Sequence, residues 1–133
     1  MLGRAVSEMQ YILIENYLAT GRSLMVESAF FVEFARPELQ RILAQYPART
    51  LEVYCQTDAT VRRQRFSDRA ASGNRHQGHQ DGTDLALLTD DDPEPLETYA
   101  PLEVGEVIIV DTTSFGDAEY ATLVAEISKR LKS

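Results

Sequence analysis

Residues 50–69 read TLEVYCQTDATVRRQRFSDR, and the change of period inside them decides the fold. Leu51, Val53 and Cys55 alternate with Glu52 and Tyr54, the two-residue repeat of a strand with one better-buried face. Thr57 and Asp58 then end the alternation and offer side-chain oxygens to the first free N–H groups of a helix. That helix runs through Arg62, Arg65 and Arg69. A strand passing into a helix is the building unit of an α/β protein.

The flanking sequence extends the pattern. Toward the C-terminus, EVIIVD (106–111) predicts a second strand, and Tyr120, Leu123, Val124, Ile127 and Leu131 give a closing helix an apolar face. Lys129, Arg130 and Lys132 suit the negative end of its dipole. Toward the N-terminus, AVSEMQYILIENYLATG (5–21) predicts a helix with Val6, Met9, Leu13 and Tyr17 at three-and-four spacing and Gly21 as a left-handed cap. Tyr11, Ile12, Ile14 and Leu18 widen its apolar surface, so it needs cover on two sides. SLMVE (23–27) reads as a short buried strand. Arg36, Pro37 and Glu38 open a second helix with Leu39, Ile42, Leu43 and Tyr46 as its buried stripe, stopped at Pro47. The order helix, strand, helix, strand, helix, loop, strand, helix predicts a layered α/β fold with a mostly parallel sheet and right-handed crossovers.

At 133 residues the chain is read as one domain with a conventional packed core. A single cysteine, Cys55, makes no internal disulfide and reads as a small buried hydrophobe. The N-terminus shows no secretion signal and no apolar run is long enough for a membrane span, so a cytoplasmic protein away from membranes is expected. The net charge of −8 argues against extended nucleic-acid binding. Within this acidic chain, five of the 13 Lys and Arg residues fall between Arg62 and Arg75. From Asp81 to Glu106 there are nine acidic residues and no Lys or Arg, with Pro93, Pro95 and Pro101 among them, a surface excursion following a loop at 72–83.

Arg62, Arg65 and Arg69 lie at i, i+3 and i+7, so their guanidinium groups share a helix face. They suit either bidentate contact with phosphate or a solvated face neutralised by the acidic stretch. Glu27 ends an apolar run where ligands gather in parallel sheets; it would hold a metal-bound water, accept a hydroxyl proton, or pair with an arginine. Asp111 has the same readings, and Thr112 and Thr113 suit backbone contacts as well as ligand contacts. His76 and His79 lie in a glycine-containing loop without a third ligand, so no metal site is assigned to them.

GRSLMVESAF (21–30), ARTLEVYCQTDATVRRQRFSDRAASGNRHQGH (48–79) and VIIVDTTSF (107–115) together resemble the later part of P-loop kinases of the AAA-like and chloramphenicol phosphotransferase group. The resemblance implies a three-layer, P-loop NTPase-like α/β fold that transfers phosphate from ATP, with Mg2+, to a hydroxyl. It makes Glu27, Arg62, Arg65 and Arg69 catalytic, with Arg75, Asp111, Thr112 and Thr113 binding the nucleotide, and places Phe30 and Phe31 at the acceptor pocket. A lid would span about 58–83 and the acidic excursion about 84–105. The family's G-x-x-x-x-G-K-[ST] loop does not occur in this sequence. Its first strand, between those matched by SLMVE and LEVYC, is missing with it. A truncated domain inactive alone is therefore expected, its open strand edges covered in a homodimer or higher oligomer. The alternative is a non-catalytic module that binds a phosphate-bearing ligand or partner.

Overall fold

The computed structural model describes residues 2–72 and 100–132. Along them run helix α1 (Leu2–Ala19), helix α2 (Val32–Gln45), strand β1 (Leu51–Gln56), helix α3 (Ala59–Ser72), strand β2 (Glu106–Asp111) and helix α4 (Asp117–Lys132). No helix among the described residues is long and apolar enough to cross a membrane. The strands pair in a two-stranded sheet. Glu106 N–H donates to Thr50 O at 3.2 Å and Thr112 N–H to Gln56 O at 2.7 Å. Both bonds join residues 56 apart in the same sense, which makes the pair parallel.

Among the described residues the mostly parallel sheet of three strands is corrected to this single parallel pair, because SLMVE forms no strand. The segment keeps the expected alternation, with Leu24 and Val26 half-buried and Ser23, Met25 and Glu27 exposed. A strand also requires a neighbour to complete its ladder. No backbone–backbone hydrogen bond joins residues 23–30 to another described residue.

The chain forms two compact units, one of residues 1–53 and 92–108 and the other of residues 54–91 and 109–133. In the first, Gly21 adopts φ 67° and ends α1: its N–H reaches Leu18 O at 2.9 Å, and Arg22 N–H reaches Tyr17 O at 3.0 Å. This is the paired closure that a left-handed residue after a helix permits. The buried face of α1 carries Ile14, with Ser7, Tyr11 and Leu18 half-buried beside it. The three-and-four stripe of Val6, Met9, Leu13 and Tyr17 is exposed instead, and so is Ile12. Both faces are apolar, so spacing alone did not distinguish the covered one. Arg41 on α2 bonds Glu38 on its own helix and Glu15 on α1, each at 2.8 Å, and these bonds raise its already high pKa.

Helix α2 begins at Val32 rather than at Arg36, leaving Pro37 inside it. The earlier start places Ala35 two turns before Ile42, and both are fully buried. Arg36 donates to Leu102 O at 2.8 Å and Pro101 O at 3.0 Å. The Glu52 carboxylate accepts from Leu102 N–H at 2.8 Å and Glu103 N–H at 3.0 Å. Opposite charges thus take up the carbonyls and amides of residues 101–103, where Glu103 has φ 53°. Leu102 is buried there, while Glu103, Gly105 and Glu106 at the end of the acidic stretch are exposed.

Only Ile14, Ala35, Ile42 and Leu102 are buried apolar side chains among the described residues, in place of the conventional core expected. The second unit contains α3 and α4, neither of which buries a residue fully. On α4, Leu123 and Ile127 are half-buried while Tyr120, Val124 and Leu131 are exposed, so its apolar face is covered only in part. Cys55 is exposed, contrary to the buried-hydrophobe expectation, because it lies beyond the better-covered start of β1.

Candidate functional site

In the second unit the segments that follow the two strands are tied together by short polar side chains. Asp58 caps α3, its Oδ1 accepting from Thr60 N–H at 2.9 Å and Val61 N–H at 3.2 Å. The Thr112 hydroxyl donates to Gln56 O at 2.9 Å and lies 2.5 Å from the Thr57 hydroxyl. Thr112 has one hydroxyl proton, and Gln56 takes it, so Thr57 is the donor of that pair. Asp58 N–H donates to Thr113 Oγ1 at 2.9 Å, and Thr113 N–H donates to Asp111 Oδ1 at 2.8 Å. Hydrogen bonds from the Thr113 hydroxyl and then from its N–H hold the Asp111 carboxyl below the ordinary carboxylate range.

Arg65 joins this network from α3. Its Nη1 donates to Thr112 O at 2.8 Å and its Nη2 to Thr113 O at 3.0 Å. The planar fork fits two successive carbonyls, which an ammonium group could not match. Arg65, Asp111, Thr112 and Thr113 are therefore brought together. Arg62 and Arg69 flank Arg65 on the same face, and the Arg69 guanidinium lies 5.6 Å from the Phe66 ring centre.

Glu27 belongs to the first unit, where its side chain is exposed and its carbonyl accepts from Gln10 Nε2 at 3.2 Å. Phe30 is half-buried and Phe31 exposed just before α2. Arg75, His76 and His79, with most of the expected lid loop and acidic excursion, lie outside the described residues. Among the described residues no group of three or more His, Cys, Asp or Glu side chains could hold a metal ion.

Sequence reasoning missed Thr57 as a participant in this network, reading it only as part of a helix cap; in the first unit it missed the roles of Glu52, read as the less-buried side of a strand, and Arg36, read as a helix opener. Only the β1 alternation carried a signal: a carboxylate in a strand needs N–H partners if it is not fully solvated.

The chain can be set beside known proteins. No family model matches the sequence, and no curated protein matches it. A crystal structure of a candidate kinase from Chloroflexus aurantiacus J-10-fl is similar, with a TM-score of 0.76 and 24% identity over 98% of this chain. The match spans 66% of that kinase's own length. At this identity the likeness shows a fold shared with that structure.

Proposed function

We propose that this chain is the C-terminal portion of an ATP-dependent small-molecule kinase and is inactive on its own. The observation that carries the reading is the likeness over 98% of this chain to a kinase structure a third of whose length has no counterpart here. Phosphoryl transfer relies on positioned positive charge around the moving group. The α3 arginines would supply that charge, with Arg65 anchoring the helix and Arg62 and Arg69 facing phosphate. Glu27 would serve the acceptor hydroxyl or Mg2+ in the completed protein. Asp111, Thr112 and Thr113 would lie near the nucleotide base.

The residues present do not fit the whole nucleotide. ATP phosphates need a cradle of backbone N–H groups and a phosphate-binding lysine, and the sequence has no G-x-x-x-x-G-K-[ST] loop to form them. No step of transfer is therefore assigned to this chain by itself.

Reading the coding DNA in frame upstream of Met1 tests the proposal. A G-x-x-x-x-G-K-[ST] run after an apolar strand is expected, and the longer product should hydrolyse Mg·ATP at a rate that falls at least about tenfold with Arg62→Ala. A stop codon directly upstream overturns the reading, as does a longer product in which Arg62→Ala leaves turnover unchanged.

A further inference from the structure

We infer that the exposed stripe of α4 pairs antiparallel with the same stripe of a second copy of this chain. Tyr120, Val124 and Leu131 are exposed on α4, while Leu123 and Ile127, on its other side, are half-buried. At about 3.6 residues per turn the three exposed side chains fall within about 40° of one another around the helix. Ala121 and Ala125 lie beside them and are exposed too. Small residues next to a large apolar stripe let the side chains of a facing helix enter the gaps between its ridges.

The distribution of charge selects a second copy as the occupant. α4 has three acidic residues, Asp117, Glu119 and Glu126, and three basic ones, Lys129, Arg130 and Lys132, so the chain's net charge of −8 lies elsewhere. Some of these charges are used within α4 and its cap: Glu119 accepts from Gly116 N–H at 2.9 Å, and Arg130 donates to Glu126 at 2.7 Å. Asp117 and Lys132, at opposite ends, are exposed and ion-pair with no other described residue. A two-fold axis through Val124 sets that residue against its own copy and Tyr120 opposite the partner's Ser128. It also brings Asp117 beside the partner's Leu131 and Lys132. Parallel pairing would oppose like charges at both ends; antiparallel pairing joins opposite ones and sets the helix dipoles head to tail. A helix of 16 residues is about 24 Å long, so the contact is small and predicts a reversible dimer with a Kd on the order of 10 μM. The pairing uses residues of α4 alone and depends neither on the open strand edges nor on the kinase reading.

Sedimentation equilibrium of the full chain from about 1 to 200 μM is the test. The mass should rise from monomer to dimer; a monomer throughout overturns the inference and leaves the stripe to some other chain. Val124→Asp should abolish the dimer, and Met25→Asp, at an exposed residue of the first unit, should leave it intact. A dimer that survives the first substitution, or is lost equally in both, also overturns it. Asp117→Lys and Lys132→Asp should each weaken the dimer at least about fivefold, while the double exchange restores it to within about twofold. A double variant as weak as the single ones refutes the antiparallel alignment, because effects on the helix dipole alone would add and not cancel. A neutral substitution keeps the test sound if the aspartate variant misfolds. With Cys55→Ser, Val124→Cys should cross-link into a dimer under mild oxidation, since its two copies meet at the axis, and Ile109→Cys, also exposed, should not. Absent or equal cross-linking at the two positions overturns the inference.

Discussion

Asp111 shows how much one short side chain can order. Its carboxylate receives two hydrogen bonds from Thr113, and Thr113 in turn receives one from Asp58. Because the folded carboxyl lies below its ordinary value near 3.8, the unfolded chain binds this proton more readily. Its stabilisation is complete above that ordinary value and is lost as pH falls through the lower, folded one. Asp111→Asn keeps an acceptor for the Thr113 N–H but has no proton to gain. Urea midpoints of the wild type should therefore fall more steeply than those of the variant below about pH 4, and parallel acid limbs would refute the assignment. The arginine stripe marks the limit of the sequence at this scale. Spacing placed Arg62, Arg65 and Arg69 on one face, yet nothing in the helix itself shows that the middle residue faces two carbonyls.

Among the elements, the start of the parallel pair depends on one close approach. The Thr50 hydroxyl donates to Val104 O at 2.9 Å, and Glu106 N–H returns a bond to Thr50 O. A Cβ on Gly105 would lie 2.6 Å from Thr50 O and overlap Thr50 Oγ1. Gly105→Ala should therefore destabilise the fold by about 1–3 kcal/mol in urea denaturation, since backbone as well as side chain must shift. A change below about 0.5 kcal/mol would show that the strands separate there at little cost. The elements legible in the sequence were those with local signals: the Asp58 cap, the Gly21 closure and the runs that became β1 and β2. The start of α2 was not legible, because burial of Ala35 extends the helix past Pro37 and burial depends on residues distant in sequence. SLMVE was read as a buried strand and forms none among the described residues, for the same reason.

For the whole molecule, the small number of buried apolar side chains has a thermodynamic consequence. The urea slope of unfolding follows the surface newly exposed. With only Ile14, Ala35, Ile42 and Leu102 buried among the described apolar residues, the slope should fall at or below about 1 kcal/mol/M, the low end for small proteins. A slope above about 2 kcal/mol/M would mean that the exposed apolar faces are covered in solution. The sequence by itself determined β1, α3, β2 and α4, the capping residues, the common face of the arginines and the lack of a G-x-x-x-x-G-K-[ST] run, because each follows from neighbours within one or two turns. Only the tertiary structure decided which face of α1 is covered, that Arg65 anchors α3, that Arg36 and Glu52 hold residues 101–103, and that segment 23–27 has no ladder. Those outcomes depend on groups far apart along the chain, where burial and hydrogen-bond satisfaction are settled by what lies alongside.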